Sequence, residues 1–421
     1  MKSKLNAKTR FQFSYVQLKE LLLEKPRNGL YKSEKYQGSG NRWIKMKTVF
    51  DNRVISEQQM DLIQVTKDEE EKFSCKNDDL IFSRTSILFE GVGKCCLVHN
   101  ILDKPIFESN TFVIRLDKSK SDPKFYFYYF NSPQGRQNIY GIIRQTAASQ
   151  ITSADLIGLS VPYPPLEIQN RVSSIMFKLE KLITTLENQN KILEKLTQSI
   201  FKSWFIDFDG QTKFVDSELG EIPKGWNVAT LNDVCSLITD GSHFSPKEDS
   251  TGTKRIATVK NMKEYDIDIQ SCKKISNEDY KNLVKNGCKP QKTDILFSKD
   301  GTMGIVHLFN GEENLVLLSS IAILRLNEKI SNYYLKSYLS EEENQHILKE
   351  DYSSGSALPR IVLKDLKKFE IIVPTKEILK KFDLMVIPSY KQIFQNSKNC
   401  RVLKKVRDLL LQKLISGEIQ V

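Results

Sequence analysis

No run of apolar residues in this sequence approaches the roughly 18 needed to span a bilayer as a helix. Met1 to Glu24 is basic but has no continuous apolar core, so no secretion signal is expected. The seven cysteines (75, 95, 96, 235, 272, 288 and 400) form no Cys-x-x-Cys pair, and their odd number suits reduced, buried thiols. Only four histidines are present (99, 243, 307 and 346), scattered and apart from the cysteines, which argues against a structural zinc site. These absences together point to the cytoplasm.

A catalytic constellation is missing as well. Gly91-Val92-Gly93-Lys94-Cys95 holds a Gly-Lys pair but neither the upstream glycine nor the following Ser or Thr of a phosphate-binding loop. Tyr163-Pro164-Pro165-Leu166 lacks the flanking polar and aromatic residues of an adenine methyltransferase motif; just before a long helix it reads as a rigid turn. Glu70-Glu71-Lys72 has no Pro-Asp at a useful distance upstream and reads as a solvated charge run, not half of a nuclease motif. None of the histidines has a Ser or Cys partner at a telling spacing. The chain is therefore not expected to be an enzyme or to bind a metal or cofactor.

What the chain does have is length, positive charge and repetition. At 421 residues it exceeds one typical core, and its formal charge of +11 points to a polyanionic partner. From Leu166 to Phe205 apolar residues recur at Val172, Ile175, Leu179, Leu182, Leu186, Leu193, Leu196, Ile200 and Trp204, with Gln189 as the polar break. Steps alternating between three and four mark a heptad seam, and forty residues make a helix of roughly 60 Å. An ordinary core helix is the plainer reading; the length and regularity favour a coiled-coil rod that needs a partner.

An internal repeat supplies that partner. Asp79-Leu80-Ile81-Phe82-Ser83-Arg84 matches Asp294-Ile295-Leu296-Phe297-Ser298-Lys299, and Phe112 to Leu116 matches Ala322 to Leu326. An offset of 210 residues then carries Asp155 to Asp365, Pro164 to Pro374, Glu167 to Glu377, Leu193 to Leu403, Leu196 to Val406 and Ile200 to Leu410. One register held through strand, loop and helix implies two copies of a mixed α/β domain, each followed by a long helix. The expected architecture has domains at 1–165 and 207–375, spacer helices at 166–206 and 376–421, antiparallel pairing of the helices, and pseudo-two-fold symmetry. The expected helix–helix packing residues are Leu179, Leu186, Leu193, Leu196, Leu403, Val406 and Leu410. Pro388 is expected to kink or interrupt the second helix, because it removes a ladder hydrogen bond.

Cationic and polar loops recur at matching places. Arg42, Lys45 and Lys47 in the first copy correspond to Lys254 and Lys260 in the second; Ser83 and Arg84 correspond to Ser298 and Lys299. Arg144, Gln145 and Thr146 precede one Asp-Leu element, and Ser356 and Arg360 the other. Arg and Gln reach base edges, while Lys, Ser and Thr serve phosphates, so these residues are the candidate DNA-binding set. Taken singly, each also reads as solvated surface charge.

Four stretches carry a family resemblance: Val161 to Gln169, Ile200 to Asp209, Ser217 to Trp226, and Leu414 to Ile419. In them and in their order the chain resembles the specificity subunits of type I restriction–modification systems. The resemblance implies two target recognition domains reading a bipartite double-stranded DNA sequence, with the helices setting the gap. It implies docking of two modification subunits, which would carry S-adenosylmethionine and methylate adenine, and of restriction subunits using ATP and Mg. No cofactor is implied for this chain itself. The first copy begins with Phe11-Gln12-Phe13-Ser14-Tyr15 where the second has Gly220-Glu221-Ile222-Pro223-Lys224-Gly225-Trp226, and Thr375 and Leu379 replace the second proline and the glutamine of the first copy's turn. The rival is a coiled-coil scaffold that assembles proteins without reading DNA.

Overall fold

A computed structural model describes residues 13–145, 149–355 and 359–419. The chain divides into two compact units, 1–183 with 402–421, and 184–401. Each long helix contributes a part to both: Leu166–Phe205 and Lys376–Ile415 are forty residues apiece.

In the first unit a five-stranded sheet runs in the order Arg27–Asn28, Thr111–Ile114, Leu80–Ser83, Cys95–Val98, Val54–Ile55. A smaller sheet places Gln37–Ile44 between Asp61–Ile63, antiparallel, and Ile106–Phe107, parallel. The second unit repeats the plan. Its larger sheet is ordered Cys235–Asp240, Ile321–Leu326, Ile295–Ser298, Val306–Leu308. Its smaller one sets Lys254–Ala257 between Lys273–Ile275, antiparallel, and Leu315–Leu317, parallel. The short apolar strands matched in the sequence are buried on both faces, as near-continuous Ile, Leu and Phe runs require. Between Phe50 and Lys72, where little periodicity is legible, lie the strands Val54–Ile55 and Asp61–Ile63 and the start of a helix, Lys67–Phe73.

The helix Pro123–Phe130 is apolar all round, and its side chains from Phe125 to Phe130 are all buried in the first unit's core. The Tyr126 hydroxyl donates to Pro162 O at 2.9 Å; its counterpart Tyr334 donates to Ile372 O at 2.6 Å. The Asp122 carboxylate accepts from Ser173 in the first unit, whereas in the second the Ser331 hydroxyl donates to Asp383 at 2.6 Å. The same bond is made with its partners exchanged. Phe11 and Gln12 lie outside the described residues; after them Ser14–Gln17 pairs with Ser160–Tyr163, as Asn227–Thr230 pairs with Glu370–Val373.

Within each unit the two long helices pack together. In the first, Val172 and Met176 share a core with Leu411, Leu414 and Ile415, and Glu180 accepts from Arg407 at 3.2 Å and from Arg53 at 2.8 Å. In the second, Asn190 meets Asn396 at 2.9 Å while Phe201 and Phe205 lie against Phe382. Rising numbers on one helix against falling numbers on the other make the pairing antiparallel.

The seam's phase differs from the sequence expectation. Met176, Ile183, Asn190 and Thr197, spaced by sevens, are the buried stripe, flanked by half-buried Leu179, Leu186 and Leu193. Leu196 and Val406 are about half exposed, and Gln189 is exposed, so the polar core position is Asn190. Leu403 is half-buried, and Leu410 packs on the first unit's core. Two stripes one residue apart both carried apolar residues, and the fold buries the one holding the polar pair. Pro388 does not interrupt the second helix, which continues through it with the proline ring on the exposed face.

Candidate nucleic-acid interface

Three segments distant in sequence converge in each unit, and the same backbone bonds join them. In the first, Ile44 ends its strand and the helix Met46–Asp51 follows, with Met46 N donating to the Glu108 carboxylate. Two residues beyond, Asn110 O accepts from Arg84 N at 2.7 Å, and Arg84 O accepts from Ile151 N at 3.0 Å. Thr85–Ser86 then pairs with Ser149–Gln150, which pairs with Arg144–Gln145.

In the second unit Ala257 ends the equivalent strand, and Val259 N donates to the Ser320 hydroxyl at 3.1 Å. Ser320 O accepts from Lys299 N at 3.0 Å, and Lys299 O from Ile361 N at 2.9 Å. Ser353–Ser354 pairs with Arg360–Ile361. The strand registers equate Ile44 with Ala257, and hence Lys47 with Lys260 and Arg42 with Arg255. Asn110 and Ser320, the residues holding the segments together, stand at the repeat's offset of 210 immediately before matched strands, a signal that the sequence reading passed over.

The candidate residues separate by what their side chains do. Lys47 and Lys260 are exposed and have no side-chain partner among the described residues. Arg84 is half-buried and likewise unpartnered among them, and Arg360 is exposed. Arg144 is largely exposed but donates to Asp155 at 2.7 Å; a bond from Thr152, together with this one, holds the Asp155 carboxyl below its ordinary value. Lys45 meets Asp61 at 2.9 Å with its ammonium over the Trp43 ring, and Lys254 donates to Asn314 at 2.6 Å beside Tyr280. Gln145 is placed by its backbone pairing with Ser149. Thr146 and Ser356 lie outside the described residues.

Four expected DNA contacts have structural duties instead. The buried Ser83 hydroxyl donates to Gly91 O at 2.7 Å and accepts from Lys94 N at 2.9 Å. Ser298 repeats this with Thr302 O and Ile305 N, both at 2.7 Å, so each serine closes the loop behind its strand. Lys299 is buried against Asp240 at 3.3 Å. Asn28 holds Asp240's place in the first unit's sheet, which is why Arg84 is not neutralised in the same way. Arg42 donates to Asp103 at 2.6 Å, to Ser56 O at 2.9 Å and to Glu57 at 3.1 Å, and its bond to Asp103 raises its pKa. A guanidinium so engaged has little left for a phosphate.

Of the motifs weighed for catalysis, Lys94 donates to Phe50 O, and burial lowers its pKa. Gly93 turns at φ +65°, where an added Cβ would meet Ile139 at 2.5 Å, so the glycine serves the turn. A cleft of about 830 Å³ in the first unit brings Lys32, Lys35 and Tyr31 beside Lys45, Lys47 and Asn110. Lys32, Lys35 and Tyr31 precede the first repeated motif, so no repeat signal marks them in the sequence.

A family model described as "Type I restriction modification DNA specificity domain" matches residues 12–198 and again 223–398. The MjaIX specificity subunit of Methanocaldococcus jannaschii is 29% identical over 364 residues, covering 82% of this chain and 78% of that one. The putative MjaX specificity subunit of the same organism is 26% identical, covering 95% and 92%. The crystal structure of a type I restriction–modification S subunit from M. genitalium superposes with a TM-score of 0.56 at 15% identity, covering 98% of both chains.

Proposed function

The chain belongs to the family of type I restriction–modification DNA specificity proteins, and from that premise we propose that each of its units reads one half of a bipartite double-stranded DNA target. The observation carrying this reading is the three-segment cationic surface built twice on the same backbone bonds, with Lys47 and Lys260 exposed at equivalent positions just after matched strands. Lysines there contact phosphates and fix the register, while Arg84 and the paired hairpins face base edges.

Recognition is the whole of this chain's chemistry in the proposal; methylation and cleavage belong to other subunits. Two modification subunits, carrying S-adenosylmethionine, dock on the long helices, and restriction subunits supply an ATP- and Mg-dependent nuclease. Exposed apolar side chains on those helices, among them Leu182, Leu196, Val406 and Leu409, support docking. The helices, continuous from one unit into the other, fix the gap between the half-sites.

A scaffold that never reads DNA would use the same helix faces but has no need of the repeated cationic surface. Lys299 is unsuited to separating the two readings, because its buried ion pair makes any substitution destabilising. Lys47→Ala with Arg84→Ala, and Lys260→Ala with Arg360→Ala, are the better variants. In complex with the modification subunits each pair is expected to weaken duplex binding about tenfold and to lower the slope of log K against log salt by about one per lost phosphate contact. Unchanged affinity and slope would support the scaffold.

A further inference from the structure

The loop closed by Ser83 has ten residues, Arg84 to Gly93, where its counterpart closed by Ser298 has six, Lys299 to Gly304. The first unit's extra length presents two bare aliphatic side chains: Ile87 is 100% exposed and Leu88 70%. The shorter loop has Asp300-Gly301-Thr302 at its turn.

This tip sits on a rigid base. The Arg136 guanidinium donates to Glu90 O, Val92 O and Gly93 O, each at 2.8 Å. Phe89 packs against Tyr140 with ring centroids 5.1 Å apart, Leu88 N donates to Ser86 Oγ at 3.1 Å, and Gly91 N donates to Leu88 O at 2.9 Å. A braced loop that projects two adjacent aliphatic side chains into water holds them in place for a partner. Thr85–Ser86, at the loop's root, is hydrogen-bonded into the polar hairpin that carries Arg144 and Gln145. Arg84, whose guanidinium has no partner among the described residues, opens the loop.

We propose that Ile87 and Leu88 form an apolar wedge that inserts at one base-pair step of the half-site read by the first unit. Aliphatic side chains flanked by cationic and polar groups are the means by which proteins unstack a step and bend a duplex. The partner is duplex DNA because the tip shares its loop with Arg84 and its sheet with Arg144. The wedge also makes the two units unequal: one half-site is read with distortion, the other without. The inference rests on the DNA-reading function proposed above.

The test uses the full chain in complex with its modification subunits, and a duplex bearing the methylated motif with 2-aminopurine placed at each successive position. The wild-type complex should raise 2-aminopurine fluorescence at one step, in one half-site only. Ile87→Ser with Leu88→Ser, both exposed and so harmless to folding, should abolish the rise and weaken binding about tenfold. With a mismatch at that step, which is already unstacked, variant and wild type should bind within about twofold of one another. An unaltered rise and affinity in the variant would overturn the wedge, as would loss of subunit assembly with DNA distortion intact, which would mark the tip as a protein-docking patch. A wild-type complex with no preference for the motif over a scrambled duplex would instead overturn the DNA-reading function, and the wedge with it.

Discussion

Asp79 and Asp294 are buried carboxylates, each gripped by two nitrogens of an arginine, Arg115 just past the end of the neighbouring strand and Arg325 within it. Arg115 reaches Asp79 at 2.7 and 2.8 Å, and Arg325 reaches Asp294 at 2.9 and 2.8 Å. Asp294→Ala leaves the Arg325 guanidinium without its partner and should cost about 3–5 kcal/mol in urea denaturation, whereas Asp79→Ala should cost less, because Arg115 also meets Glu24 at 2.9 Å. His307 gives a second prediction at this scale. Burial lowers its pKa to about 4, and its Nε2 has no hydrogen-bond partner among the described residues. The folded state thus resists protonation while the unfolded chain accepts it below about 6.5. Stability is complete above that value, falls as pH drops towards 4, and loses on the order of 3 kcal/mol from this group. His307→Leu, compared with wild type across that window, should flatten this part of the decline; parallel curves would contradict the assignment. The residues proposed to carry DNA contacts were only partly legible. The repeat located Lys47, Lys260 and Arg84, but the acids that occupy Arg42 and Lys299, namely Asp103 and Asp240, stand about 60 residues away from them in the chain. No local pattern announces such a partner.

In the paired helices the informative feature is a polar contact inside an apolar seam. The Asn396 amide donates to Asn190 Oδ1 at 2.9 Å, and Asn190 donates to Ser397 Oγ at 3.2 Å. Asn190→Leu alone leaves the Asn396 NH2 only its longer bond to Gln189 at 3.4 Å and should cost about 1–3 kcal/mol, while Asn190→Leu with Asn396→Leu should recover that loss or exceed wild-type stability. Additive destabilisation in urea melts would show that the two amides do not act as a pair. The existence of the long helices, their antiparallel pairing and the strand repeats were all written in the periodicity. Which stripe faces inward was not, because Leu182 and Leu196 compete with Ile183 and Thr197 for the seam and tertiary packing decides. Nor did Pro388 end its helix, since its ring projects from the exposed side, where one missing ladder bond is tolerated.

At the scale of the whole molecule, duplication gives two similar units on two shared helices, and under the proposed function the differences between the copies would give each its own half-site. The first copy carries the ten-residue loop and the lysine-lined cleft; the second carries Lys299 neutralised by Asp240. Removing one heptad from each long helix shortens it by roughly 10 Å, about three base pairs of duplex, and keeps the seam in phase. Methylation should then move to a motif with the same half-sites and a shorter gap; an unchanged gap would refute the helices as a ruler. In the proposed function this chain chooses the sequence to be methylated. Mapping methyladenine across the host genome with and without the gene tests it most directly. Loss of methylation at one gapped, bipartite motif, with all other sites untouched, is the predicted result; in a host whose modification subunits are expressed, an unchanged map would contradict it.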